Sequence, residues 1–242
     1  NDKEERLLLR YGPVKRNEKN RALVALDPKP IEVEKAINLC GFAAANYYHF
    51  TMEILSRLDY LNGFKETEDW PILIDSDVKK YSQFIEMLNI IKGSRDIVYV
   101  DANKQVKIKR LAQISMNTWM PINVKDRDMF KISDNVIAKS GIDNIRKHAG
   151  KYMKPQSGRK IYLSRKNTKL SRIRNEEKII PIFEKAGFEI VHTENLSYVE
   201  QIELFSSAKC VVGATGAALT NLIYCHPDTV VGCLIPEEYN FA

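Results

Sequence analysis

The last third of the chain alternates between apolar runs of strand type and segments of helical patterning, and this alternation constrains the fold most. In chain order the segments are residues 160–164, 175–186, 189–192, 197–208, 210–212, 217–224 and 229–234. Gly187 stops the first helix, and Ser197 with Glu200 predicts a capping box at the start of the second. Pro181 predicts that the first helix starts late or kinks. A β-α-β-α-β-α-β unit of this kind forms a parallel, doubly wound sheet that binds ligands at the carboxyl ends of its strands.

The first part of the chain alternates in the same way and predicts a second sheet. Strands are expected at 22–26, 70–75, 96–101 and 105–116, and helical patterning covers 40–61, 81–91 and 126–152, the last broken at Gly141. Between the two parts, residues 151–174 carry nine Lys or Arg and no acidic residue. We therefore predict an α/β protein with two Rossmann-like domains facing across a cleft, over residues 1–154 and 155–242. Because the chain stops at Ala242 soon after a strand, we expect the second domain to be truncated.

The segment 209–224 joins a strand to a helix through a turn of small residues that includes Gly213 and Gly216. Such a turn lets phosphates approach the backbone, and the free N–H groups and dipole of the helix N-terminus favour an anion there. A diphosphate group is the natural occupant. The glycine spacing fits neither the P-loop nor the full dinucleotide fingerprint, so a tight turn whose small residues serve packing is the alternative.

Composition limits the class of protein but does not identify its binding partner. The 242 residues are 44% hydrophobic, yet no apolar run approaches a membrane span, and the N-terminus is too charged for a signal peptide. The four cysteines lack Cys-x-x-Cys spacing, which favours reduced thiols and a cytoplasmic location. The net charge of +6 is compatible with a phosphorylated substrate, with peripheral contact at the anionic inner face of the membrane, or with nucleic acid. No recognised nucleic-acid motif accompanies the basic segment, so nucleic acid is not the expected partner.

His49, Glu53 and Arg57 fall at successive i, i+4 positions of the helical segment 40–61. An imidazole ordinarily titrates near neutrality and suits general-base catalysis, and a carboxylate one turn away can orient it. His49 and Glu53 are therefore the candidate catalytic pair. A surface ladder of ion pairs is the alternative.

Four motifs occur together along the chain. They are Asn46-Tyr-Tyr-His-Phe with Glu53 and Arg57, Leu163-Ser-Arg with Arg172-x-Arg174-Asn-Glu176, Leu196-Ser-Tyr-Val-Glu-Gln201, and Val212-Gly-Ala-Thr-Gly-Ala-Ala-Leu-Thr-Asn221. Their order and spacing over residues 40–236 resemble glycosyltransferase family 61, whose bacterial members include capsular polysaccharide biosynthesis proteins.

The resemblance implies a GT-B fold and inverting transfer of a sugar from a nucleotide-sugar donor to a glycan acceptor, in capsular or lipopolysaccharide synthesis. It also implies that no metal ion or cofactor takes part and that the donor binds in the C-terminal half. The family usually has His where this chain has Thr215. A catalytically silent member that serves as a binding subunit is therefore an alternative.

The predicted donor site combines cationic side chains with the turn. Arg165 and Arg172 are bidentate donors suited to a diphosphate, although a solvated basic linker is the alternative for both. The other predicted donor-binding residues are Asn175, Gly213, Thr215, Gly216, Ala217 and Asn221. Asn175 could instead cap its helix, and Asn221 could fix the turn geometry.

Asp75-Ser-Asp77 resembles the DxD motif of metal-dependent glycosyltransferases. Short acidic turns after strands are common, and turn or helix capping is the favoured interpretation. We predict no metal site.

Overall fold

The computed structural model describes residues 14–18, 21–24, 29–41, 43–102, 104–119, 134–166, 173 and 175–235. Within these residues the chain forms two four-stranded parallel sheets and two short antiparallel ribbons. The α/β class and the parallel sheets confirm the prediction. The arrangement as two domains facing across a cleft stays a prediction.

The first sheet has the strand order β5-β4-β3-β6, and all its strands are parallel. Its strands are β3 (Ile31–Asn38), β4 (Ile72–Asp75), β5 (Ile97–Val100) and β6 (Val106–Gln113), with helix α1 (Ser82–Ile91) between β4 and β5. Gly93, with φ of 64°, follows the end of this helix as expected. The ribbons pair β1 (Val14–Glu18) with β2 (Arg21–Val24), and β7 (Thr118–Trp119) with β8 (Val136–Ile137).

The second sheet has the strand order β10-β9-β11-β12, again all parallel. Its strands are β9 (Arg159–Leu163), β10 (Glu189–Val191), β11 (Ala208–Ala214) and β12 (Val230–Leu234), joined through α3 (Glu176–Lys185), α4 (Tyr198–Ser207) and a 3₁₀ helix (Ala217–Tyr224). The capping box is confirmed, because Ser197 Oγ accepts the Glu200 N–H and the Glu200 carboxylate accepts the Ser197 N–H. Strands β9 and β11 lie side by side, so the loops after them meet at one edge of the sheet.

The helical segment 40–61 differs in type from the predicted single helix. Residues His49–Ile54 form a π-helix, and Leu55–Leu61 continue as a 3₁₀ helix. The apolar spacing still identifies the buried face, since Phe50, Ile54 and Leu58 are at most 1% exposed. Their burial holds the segment against α1, where the rings of Phe50 and Phe84 stack at 4.6 Å.

Buried side chains from both sheets belong to one hydrophobic cluster. Ile37 and Ile72 of the first sheet and Leu163 and Val211 of the second are among its members. The predicted halves therefore share a core. No helix in the described part of the chain has the length and apolar character needed to cross a bilayer.

One local prediction is wrong, and a second is wrong in part. Gly141 does not interrupt a helix but lies within α2 (Lys139–Ala149), and the earlier part of the predicted helical region falls outside the described residues. Pro181 lies inside α3, which begins at Glu176, so the late start is wrong and the kink stays a prediction. Because proline has no N–H, the carbonyl of Glu177 loses its helical partner there.

Gly141 is required by a close contact. A Cβ at this position would lie 2.3 Å from Nδ2 of Asn117, and that amide is buried and donates to Ser56 Oγ at 2.6 Å. We expect Gly141→Ala to lower the free energy of unfolding by about 1–3 kcal/mol, measured by urea denaturation, because the amide must move away from its partner. Gly150→Ala is the matched control, since a Cβ there meets nothing within 4 Å. Equal stability of the two variants would show that the contact does not constrain position 141.

Candidate active site

A cleft of about 470 Å³ lies between the π-helix, the start of α2 and the turn after β11. The residues that line it are Asn46, Tyr48, His49, Met52, Ile137, Ile142, Thr215, Gly216, Ala217, Leu219, Thr220 and Ile223. The predicted base and the predicted phosphate-binding turn come from distant parts of the chain, and both face this cavity. The structure therefore brings together the two segments that the sequence singled out.

His49 and Glu53 form a hydrogen-bonded pair at the cleft. Nδ1 of His49 lies 2.6 Å from Oε2 of Glu53, and the two side chains are 24% and 17% exposed. Asn46 Oδ1 accepts the backbone N–H groups of Tyr48 and His49 at 3.0 and 3.4 Å, which fixes the start of the helical segment. This pairing is the geometry needed for a carboxylate that orients an imidazole.

Arg57 does not belong to a surface ladder of ion pairs. Its side chain is 2% exposed, and its Nη1 donates to the carbonyl of Ile114 at 3.1 Å. Burial lowers the pKa of Arg57, and the nearby Glu53 carboxylate partly offsets that effect. The alternative of a solvated ladder is therefore wrong for this face, and Arg57 adds a buried positive charge behind the His49–Glu53 pair.

Arg165 lies directly against the turn. It follows β9, and the turn follows β11, whose Gly213 pairs in register with Leu163 of β9. A Cβ on Gly216 would be 2.0 Å from Nη1 of Arg165, so only glycine leaves room for the guanidinium. The parallel register thus places a cation beside the backbone of the turn.

Glu176 was not identified as a site residue from the sequence, although it belongs to one of the quoted motifs. Its carboxylate is 3% exposed and accepts the Arg165 N–H at 2.9 Å and the Tyr162 hydroxyl at 3.1 Å. Burial, together with this carboxylate, raises the pKa of Tyr162. Glu176 therefore fixes the loop that carries Arg165. An acidic residue in the first turn of a helix is ordinarily explained by its interaction with the helix dipole, so the sequence alone does not indicate this hydrogen bond.

Thr215, Gly216 and Ala217 line the cleft as the donor prediction requires. The Thr215 N–H donates to the carbonyl of Leu234 at 3.0 Å, which fixes the turn to β12. Gly213 has a packing role, because a Cβ there would lie 2.9 Å from Cβ of Leu163. Arg172 lies outside the described residues.

The two predicted asparagines lie in different settings. Asn221 is fully buried, accepts the Tyr47 hydroxyl at 2.6 Å and donates to Gln201 Oε1 at 2.8 Å. Its side chain therefore joins the 3₁₀ helix after the turn to Tyr47 and to α4, and a role in fixing the turn geometry stays a prediction. Asn175 is exposed at the N-cap of α3, but its side chain makes no capping hydrogen bond, so the capping alternative is wrong. Contact of either residue with a donor stays a prediction.

The two carboxylates of the acidic turn after β4 contact neighbouring groups of the protein. Asp75 accepts the Gly41 N–H at 2.9 Å, burial raises its pKa, and Asp77 pairs with Lys80 at 2.7 Å. Among the residues that the structure describes, no group of three or more His, Cys, Asp or Glu side chains is arranged to hold a metal ion.

A comparison with known protein families identifies the class of protein. A family model described as Glycosyltransferase 61 matches residues 47–232, well over half of the 242-residue chain. The chain is a glycosyltransferase. It belongs to glycosyltransferase family 61. A search of curated proteins finds no match.

Gly216 can be tested through its contact with Arg165. We expect Gly216→Ala to weaken binding of a nucleoside diphosphate by about tenfold or more, because the added methyl group displaces the guanidinium. Binding is measured by titration calorimetry, with the diphosphate that gives the largest thermal shift among UDP, GDP, CDP and ADP. Gly150→Ala should bind as the parent does.

Arg165→Ala and the double variant that combines it with Gly216→Ala complete a double-mutant cycle. If Gly216 acts through Arg165, the two losses are not additive, and the double variant binds about as weakly as Arg165→Ala. Additive losses would contradict this coupling.

Proposed function

We propose that this glycosyltransferase moves a sugar from a nucleotide-sugar donor to a hydroxyl group of a glycan acceptor, with inversion and without a metal ion. The supporting observation is that one cleft carries both the His49–Glu53 pair and the Gly216 turn with Arg165 beside it. The proposed setting is capsular or lipopolysaccharide synthesis on the cytoplasmic side of the membrane. The net charge of +6 supports peripheral contact with an anionic surface.

His49 acts as the general base in this proposal. Its Nδ1 is engaged by Glu53, so Nε2 takes the proton of the acceptor hydroxyl. The acceptor oxygen attacks the anomeric carbon from the face opposite the diphosphate, and the bond between that carbon and the phosphate oxygen breaks as the new bond forms. This displacement inverts the anomeric configuration. Glu53 stabilises the imidazolium that results.

The diphosphate leaves towards the turn. Negative charge grows on the leaving oxygen, and the Arg165 guanidinium with the backbone N–H groups at the start of the 3₁₀ helix is suited to stabilise it. Glu176 supports this role indirectly, since it holds the backbone of Arg165. Arg172 is proposed as a second guanidinium on the same group.

A catalytically silent binding subunit is the second candidate function, because Thr215 lines the cleft at the position where the family usually has His. A hydroxyl group can donate a hydrogen bond to a phosphate but cannot act as a base near neutral pH. His49 supplies a base on the same cavity. Transfer therefore does not require an imidazole at position 215.

Measurements of turnover and binding distinguish an active enzyme from a catalytically silent binding subunit. We expect His49→Ala to lower kcat by about 10²–10⁴-fold while nucleoside diphosphate binding is nearly unchanged, because the base acts on the acceptor. Glu53→Gln should lose less, since the imidazole remains but is less well oriented. The measurements are product formation and calorimetric binding on one preparation of each variant, using the nucleotide sugar that gives the largest thermal shift in a panel.

His226→Ala is the matched control, because the His226 side chain is 53% exposed and does not line the cleft. It should behave as the parent does. Normal turnover of a stably folded His49→Ala variant would exclude His49 as the base. Absence of transfer by the parent across the panel, with nucleotide binding intact, would favour the silent subunit.

Metal independence has its own test. We expect nucleotide binding and transfer to persist in EDTA, since Asp75 and Asp77 are engaged by Gly41 and Lys80. Activity and binding are measured before and after chelation, and again after manganese is added. Activity that needs manganese and is lost in Asp75→Asn or Asp77→Asn would overturn this part of the proposal.

A further inference from the structure

We infer that the acceptor bound in this cleft is an uncharged glycoside that presents an apolar face or substituent to a wall formed by Met52, Ile142 and Ile223. The inference rests on the proposed function and adds to it the chemical class of the acceptor. Three features of the described residues support it: the side chains that line the cavity, the positions of charged groups near it, and the polar groups that a sugar could contact.

The described residues that line the cleft include no lysine, arginine, aspartate or glutamate. The carboxylate of Glu53 lies beside His49, with Oε2 2.6 Å from Nδ1, and the Glu53 side chain is 17% exposed. An acceptor carboxylate or phosphate in the cavity would lose hydration, would meet no lysine or arginine among these lining residues and would be repelled by Glu53. The cavity therefore disfavours anionic acceptors.

Among the residues that the structure describes, Arg165 supplies a cation at the turn instead. Arg165 touches Gly216 but is not among the residues that line the cavity. The diphosphate of the donor is accordingly expected beside the turn, and the cavity next to His49 is left for the acceptor. A base must reach the hydroxyl that it deprotonates, which places the acceptor on this side.

The wall beside His49 is apolar and comes from three separate segments. Met52 belongs to the π-helix, Ile142 to α2 and Ile223 to the 3₁₀ helix after the turn, and all three line the cleft. Tyr48 adds an aromatic ring, held edge-on to the ring of His49 with centroids 5.3 Å apart. The C–H face of a pyranose, or an apolar group attached to it, can bury area against this wall while its hydroxyls face His49 and Thr220.

Matched pairs of glycosides test this. We expect 4-nitrophenyl β-glucoside or β-galactoside to bind at least tenfold more tightly than the corresponding glucuronide or galacturonide, which differ only in the carboxylate at C6. Affinities are measured by ligand-observed NMR, with and without a saturating nucleoside diphosphate. Ile142→Lys places a cation in the wall and should reduce the ratio of the two affinities at least tenfold. Ile182→Lys is the control, because Ile182 is 66% exposed and lies on α3, away from the cleft.

Three outcomes would overturn the inference. Equal or tighter binding of the uronides by the parent would show that the cleft accepts anions. An unchanged ratio in Ile142→Lys would show that the glycosides bind elsewhere. If neither member of either pair binds while the nucleoside diphosphate does, this acceptor class is wrong but the proposed function stands. Failure of every nucleoside diphosphate to bind would instead count against the proposed function.

Discussion

The hydrogen bond from the Tyr47 hydroxyl to Asn221 Oδ1 joins the two parts of the chain on which the cleft depends. It spans 2.6 Å between residues 174 positions apart, and Asn221 is fully buried. Tyr47 lies two residues before His49, and Asn221 lies in the helix that follows the Gly216 turn. Leaving a buried acceptor without its hydroxyl partner costs about 1–3 kcal/mol, so this bond favours one arrangement of base and turn.

Other polar groups extend this bond into a small buried network. Asn221 donates to Gln201 of α4, and the Tyr198 and Tyr224 hydroxyls are 2.9 Å apart. Burial raises the pKa of Tyr47 and of Tyr224 well above the usual range, and raises that of Tyr198 to about 12. These hydroxyls therefore remain protonated donors near neutral pH. A fully satisfied network of this kind makes the walls of the cleft rigid without contacting the reacting groups.

Sequence reasoning succeeded where the signal is local. Strand alternation in the last third of the chain, the Ser197 capping box and the i, i+4 spacing of His49 and Glu53 each depend on neighbouring residues, and the structure has all three. The inner strand β3 of the first sheet was not predicted. Sequence reasoning could not find Glu176 as the support of Arg165, or the wall of Met52, Ile142 and Ile223, because these contacts arise only when separate segments pack. Apolar spacing likewise identifies a buried face but cannot distinguish a π-helix from an α-helix.

The π-helix also limits how the length of this chain can vary in evolution. Loops usually tolerate gain or loss of a residue, whereas a π-helix is often an α-helix that has accommodated one extra residue near a functional site. Deletion of one residue between His49 and Glu53 would allow α-helical pairing to return and would change the spacing of the pair from i, i+4 to i, i+3, so the 2.6 Å contact could not persist in its present geometry. Related chains that keep this pair should therefore vary in length elsewhere, and substitutions rather than deletions should account for their differences within residues 49–54.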